Sequence, residues 1–232
     1  MKPLFQKNAE GSARVKIGKT EVIVGVKMDI SEPYSDSPDK GNLMVTAELL
    51  PLSSSRFERG PPKFPAIELG RIIDRGIRES KFIQLEKLCI KKGEKVWNVF
   101  IDIYSINDDG NLLDAAGIGA LVALKNARIP KYDKKNEKVL YGELSNEKIP
   151  VSKEIPVSVT VYKIGKSLII DPTREEEDIS EARLTSAGSE DTIFSMQKGD
   201  KGTLTEEELF NIFELAKKAR KTILSKIEKS LK

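Results

Sequence analysis

Strand-like and helix-like runs come in groups along this chain, and that grouping restricts the folds open to it. Residues 12–30, SARVKIGKTEVIVGVKMDI, alternate apolar and polar positions and are rich in β-branched residues, so they read as two strands around a Gly-Lys turn. Residues 43–52, LMVTAELLPL, give a third strand, and 95–107, KVWNVFIDIYSIN, a fourth. Residues 66–80, AIELGRIIDRGIRES, and 112–129, LLDAAGIGALVALKNARI, switch to helical spacing. The small residues of the second helix predict close packing on a sheet. Two further hairpins are predicted, in 151–173 with a turn at Ile164-Gly165-Lys166 and in 182–202. The last helix carries strong start signals, with Thr205 as N-cap, Glu208 completing a capping box, and Leu204 and Leu209 as a staple. Its apolar stripe is Leu209, Ile212, Phe213, Ala216, Ile223 and Ile227. Strands ahead of helices in each half argue α+β over a doubly wound sheet. The charged stretch 131–148, with one short strand-like piece, reads as the connection between an N-terminal half, 1–130, and a C-terminal half, 151–232.

The chain has 232 residues, no histidine and one cysteine, Cys89. An internal disulfide, zinc sites of the Cys/His type and histidine-based catalysis are all excluded. Cys89 is expected on a strand, as packing rather than as a nucleophile. A formal net charge of +3 is too small for a global field, so any nucleic-acid surface must arise from local clustering. The absence of a long apolar run points to a soluble, cytoplasmic protein with no membrane partner. No cofactor is expected.

The local clustering is on the helix at 66–80. At ~100° per residue, Arg75 lies ~40° from Arg71, and Arg78 ~20° to its other side. Leu69, Ile72, Ile73 and Ile77 occupy the opposite, core-facing side. Arginine forks bind oxyanions bidentately and keep their charge, so the three together suit a run of phosphates. A solvated face, with Glu68, Asp74 and Glu79 as local partners, is the plainer reading of the same spacing. Arg56, Arg59 and Lys63 flank Phe57 in a loop, a pattern that fits either single-stranded RNA or plain surface. Trp97, Phe100 and Tyr104 are expected in the core. The acid run Glu175-Glu176-Glu177-Asp178 reads as a solvated segment or subunit edge in preference to a magnesium site.

Several stretches together resemble a known family: EGSARVKIGKTEVIVGVK, TAELLPL, AIELGRIIDRGIRESK, KVWNVFIDIYSINDDGNLLDA and DPTREEEDISEARLTSAGSEDTIFSMQKGDKG. In this order they are similar to the exosome ring subunits related to RNase PH, most of all the archaeal ones of the ribosomal-RNA-processing protein 42 type. The resemblance covers nearly the whole chain. It implies an RNase PH-like fold of two halves, each a sheet-plus-helix unit like the second domain of ribosomal protein S5. It also implies a hexameric ring that alternates with a catalytic sister of the protein 41 type, RNA-binding cap subunits on one face, and single-stranded RNA as ligand. Arg71 and Arg75 would contact the RNA 3′ end in the site shared with the catalytic neighbour, with Arg78 beside them. Family members usually carry a further N-terminal segment ahead of EGSARVK, where this sequence has only MKPLFQKNA, so the first strand is expected to lack a partner.

Catalytic relatives hold inorganic phosphate with a Gly-Ser-Arg or Gly-Thr-Arg run after an Asp-containing turn. Here that turn is Asp109-Gly110-Asn111-Leu112-Leu113, and the hydroxyl and guanidinium positions fall on Leu112 and Leu113. The downstream catalytic Asp falls near Ala182 or Arg183. Both changes imply a non-catalytic subunit that completes its neighbour's site. The competing expectation is a self-sufficient phosphorolytic exoribonuclease that degrades RNA from its 3′ end.

Overall fold

The computed structural model describes residues 2–3, 8–133 and 135–231. The first sheet contains β1 (Lys2–Pro3), β2 (Gly11–Ile17), β3 (Thr20–Ser31), β4 (Asn42–Glu48), β5 (Cys89–Lys91) and β6 (Lys95–Asn107). Its order is β1-β2-β3-β6-β4, with β5 also on β6; β4 runs parallel to β6 and the other pairings are antiparallel. Helices α1 (Phe64–Glu79) and α2 (Leu112–Asn126) cover one face. The second sheet has the order β10-β9-β11-β12, from β9 (Val157–Ile164), β10 (Ser167–Ile170), β11 (Ala182–Gly188) and β12 (Ile193–Gly199). It lies over α1 and α2, and α4 (Glu206–Ser230) packs on its far side. The result is four layers in the order sheet, helices, sheet, helix.

Strand periodicity explains the layering. In β3, Val22, Val24, Val26 and Met28 point into the core, as do Trp97, Val99, Ile101 and Ile103 of β6. Phe100 and Tyr104, expected in the core, take the opposite parity and are only half-buried. In β9, Ser158, Thr160 and Tyr162 share the parity that meets the α2 side. Val157, Val159 and Val161 share the other, so the strand is buried on both faces. Helix α2 fits between the sheets because of its small residues. A Cβ at Gly119 would sit 2.6 Å from Val24 Cγ2, closer than real side chains approach.

The last helix begins as expected, with both reciprocal bonds of the Thr205–Glu208 capping box formed. Its stripe contains an unexpected member. Arg220 is 5% exposed and donates to the carbonyls of Val157 and Ser186. The stretch 131–148 is more regular than a connection. With the residues before it, it forms an antiparallel hairpin of β7 (Arg128–Asp133) and β8 (Lys138–Lys148). Cross-strand pairing gives order to a segment whose charges hide the alternation. β2 does have a partner besides β3, since Lys2 and Pro3 pair with Arg14 and Ala13. Cys89 lies on a strand but is half-buried.

Candidate nucleic-acid interface and the turn beside it

Pro61 and Pro62 keep the chain extended ahead of α1, and Pro65 lies in its first turn, where a missing N–H costs nothing. The helix buries Ala66, Leu69, Gly70, Ile72, Ile73, Gly76 and Ile77. Gly70 lets it settle onto β4, since a Cβ there would lie 3.1 Å from the Val45 carbonyl oxygen. Arg71, Arg75 and Arg78 are all exposed, on one face, as the spacing predicts. Arg71, Arg75 and Asp74 line an open groove of about 330 Å³ with Val45, Thr46, Ile67 and Pro62.

The three arginines differ in their partners. Arg78 is engaged with Asp74 through Nε and Nη2, at 3.0 and 2.8 Å, and its Nη2 also donates to the Leu43 carbonyl at 3.1 Å. The Asp74 carboxylate holds the Arg78 guanidinium above its ordinary pKa. Arg75 donates from Nη1 to the neutral Gln197 of β12 at 3.2 Å, and among the described residues no carboxylate pairs with it. Glu68, three residues before Arg71, is taken by Arg183 of β11 at 2.6 Å. Among the described residues Arg71 has no ion pair and no side-chain hydrogen bond.

The turn before α2 is organised differently. Asn111 is the N-cap, in the left-handed region with φ 55°, and its side chain does not cap the helix. Gly110, with φ 97°, passes so near the next segment that a Cβ would lie 2.3 Å from the Pro172 oxygen. Leu112 turns into the core at 6% exposed, and Leu113 packs against it. The free N–H at the helix start is taken by a side chain of the same molecule. Glu177 Oε1 accepts from the Asn111 N–H at 2.7 Å and from the Tyr162 hydroxyl at 2.9 Å. Burial, followed by the Glu177 charge, pushes the Tyr162 hydroxyl far above its usual pKa. Arg56 pairs with Asp108 at 2.7 Å and reaches Glu177 at 3.5 Å, and Arg174 reaches Asp108 at 3.3 Å.

These contacts qualify two expectations: Glu175 and Asp178 of the acid run are exposed, as a solvated segment would be, while Glu177 turns inward. The acid run is a short helix, α3 (Arg174–Asp178), capped by Thr173 and Glu176, and it directs Glu177 inward. The T-x-x-E spacing at Thr173 carried that signal. Arg56 faces Asp108 and lies over the Phe57 ring at 5.0 Å, which leaves Arg59 and Lys63 as the loop's outward cations, Lys63 beside Glu58. Arg14 is bound to Glu21, whose carboxyl it holds below the usual range. Around the position expected for an acid on β11, Ala182 is fully buried and Arg183 points at Glu68.

A further acid lies in the interior. Asp114, 1% exposed in the first turn of α2, accepts from the Thr160 N–H at 3.2 Å and hydroxyl at 2.8 Å. Burial outweighs these bonds and raises its pKa to about 7. Among the described residues, no group of three or more His, Cys, Asp or Glu could hold a metal ion, and no helix is long and apolar enough to cross a membrane.

Comparison with known proteins places these features in context. Residues 3–130 match the model of the 3′ exoribonuclease family domain 1, and residues 154–219 that of its domain 2. The chain is 46% identical to exosome complex component Rrp42 of Methanocella arvoryzae, over 95% of this chain and 82% of that protein. It is 48% identical to the Pyrococcus furiosus protein of the same name, over 96% and 82%. Its fold matches a chain of the Archaeoglobus fulgidus exosome with RNA bound to the active site, with TM-score 0.89 and 42% identity, over 97% of this chain and 86% of that one.

Proposed function

Because this chain belongs to the 3′ exoribonuclease (RNase PH) family, and within it to the Rrp42 exosome components, we propose that it is a non-catalytic, RNA-binding subunit of an archaeal exosome ring. It alternates in a hexamer with a catalytic sister of the protein 41 type, under RNA-binding caps, and works in the cytoplasm. Its contribution is electrostatic. Arg71 and Arg75 hold the backbone of single-stranded RNA so that the 3′ end lies in the neighbour's site. There inorganic phosphate attacks the terminal phosphodiester, the bond to the 3′ oxygen breaks, and a nucleoside diphosphate leaves. Positioning and charge neutralisation supply most of the catalysis in such transfers, so a subunit that supplies only cations still contributes to rate.

The observation that carries the RNA reading is the state of the arginine face: Arg71 exposed with no ion pair among the described residues, and Arg75 oriented by a neutral amide. The turn before α2 supports the lack of catalysis. Leu112 and Leu113 offer no donors to phosphate, and the Glu177 carboxylate stands where an anion would bind. The test is phosphate-dependent degradation of labelled oligoadenylate by the chain alone and after assembly with a catalytic RNase PH-family subunit. The expected result is no activity alone, and activity in the assembly that falls in the Arg71→Ala/Arg75→Ala variant. Nucleoside diphosphate release by the chain alone would establish a self-sufficient exoribonuclease instead.

A further inference from the structure

We propose that Arg78 and Arg183 are positioning residues for RNA: they hold the two acids beside Arg71 and so keep that guanidinium open to phosphate. This rests on the reading of Arg71 and Arg75 as phosphate ligands. Glu68 lies three residues before Arg71 and Asp74 three residues after it, and both spacings bring side chains together on a helix surface. A carboxylate on Arg71 would occupy the fork that a phosphate needs.

Neither acid is available. Arg78 grips Asp74 with two nitrogens and is itself held by its bond to the Leu43 carbonyl, and unlike Asp74 it does not line the groove. Arg183 reaches Glu68 from β11, on the other half of the chain, and the two side chains are 13% and 14% exposed. Shielding of that kind makes the Glu68 pair harder for solvent and salt to loosen than the surface pair at Asp74. Asp74 also lines the groove itself, where an uncompensated negative charge would repel a phosphate backbone. The arginines thus divide their work. Arg71 and Arg75 present charge to the ligand, while Arg78 and Arg183 cancel the charge that would oppose it.

The experiment is a fluorescence-anisotropy titration of labelled oligoadenylate against the ring assembled from the full chain and a catalytic RNase PH-family subunit. The variants are Arg78→Ala, Asp74→Asn, their combination, and Arg71→Ala/Arg75→Ala. Arg78→Ala is expected to weaken binding about threefold, the scale of one surface ion pair redirected. Asp74→Asn alone should change little, and adding it to Arg78→Ala should restore binding. Arg183→Gln, checked for folding by its melting curve, should weaken binding and be rescued by Glu68→Gln. A crystal structure of the Arg78→Ala chain should show Asp74 within about 4 Å of the Arg71 guanidinium. If the double variant stays below Asp74→Asn by the factor that separates Arg78→Ala from the unsubstituted protein, Arg78 binds RNA directly and the proposal is overturned. Unchanged binding by Arg71→Ala/Arg75→Ala would instead remove the reading beneath it, a result the Asp74 cycle does not produce.

Discussion

Glu177 places its Oε1 2.7 Å from the backbone nitrogen of Asn111, so a carboxylate from α3 caps the start of α2 across 66 residues of sequence. The N–H groups of a first helical turn lack partners within the helix and carry partial positive charge, so an acid there both satisfies a donor and complements the dipole. The same oxygen takes the Tyr162 hydroxyl, and Arg56 and Arg174 neutralise Asp108 alongside.

Glu177→Ala should therefore destabilise the chain by about 1–3 kcal/mol, because it leaves the buried Tyr162 hydroxyl and the Asn111 N–H without an acceptor. Glu177→Gln keeps an acceptor oxygen and should cost less. Urea denaturation of the two variants beside the unsubstituted chain provides the measurement, and equal stability of all three would show that the contact carries no net energy.

Asp114 gives a pH dependence of definite sign. Its folded pKa is raised from 3.8 to about 7 by burial, so between those values the folded state holds a proton that the unfolded state has released. The contribution of this group is full below about pH 4, falls as pH rises, with a slope of up to about 1.4 kcal/mol per pH unit, and levels off above about 7. Asp114→Asn removes that dependence. The stability difference, variant minus unsubstituted chain, should rise from pH 4 to 7 and stay flat above. A flat difference throughout would mean that Asp114 is ionised in the fold at ordinary acidity.

Two phosphate contacts on single-stranded RNA release condensed counterions in proportion to their number. Arg71→Ala/Arg75→Ala should make the plot of log affinity against log salt shallower by about 1.4, at about 0.7 per contact. Binding isotherms of the assembled ring at four or five salt concentrations provide the slope. A parallel line, displaced but no shallower, would place the two arginines outside the contact.

Gly119→Ala should cost about 1–3 kcal/mol, since its Cβ would fall 2.6 Å from a Val24 methyl held in a packed strand. Val24→Ala in the same chain should recover part of the loss. Thermal melts of the single and double variants decide it.

Local pattern made much of this molecule legible. The alternation in β2, β3, β6, β9 and β11, the capping box at Thr205 and the arginine face of α1 all follow from periodicities that the chain displays openly. What escaped were contacts made between segments far apart in sequence. Nothing near Glu68 announces Arg183, 115 residues on, and nothing near Arg56 announces Asp108 and Glu177. The spacing of Arg71, Arg75 and Arg78 placed them on one face, yet it could not assign their partners, because Glu68 and Asp74 were within reach of more than one arginine. The β7–β8 hairpin is only partly legible for a related reason: its ordering lies in strand pairing, while its charged composition leaves just one short strand-like piece visible.

The inward turn of Glu177 couples three positions, 112, 113 and 177. On the reading given above, restoring a hydroxyl and a guanidinium at 112 and 113 would return the donors but meet a seat already occupied. Removing Glu177 first would sacrifice stability while those donors were still missing. Neither change would open the turn by itself, so on that reading the acid and the two leucines form one unit that a phosphate site could replace only by exchanging all three together.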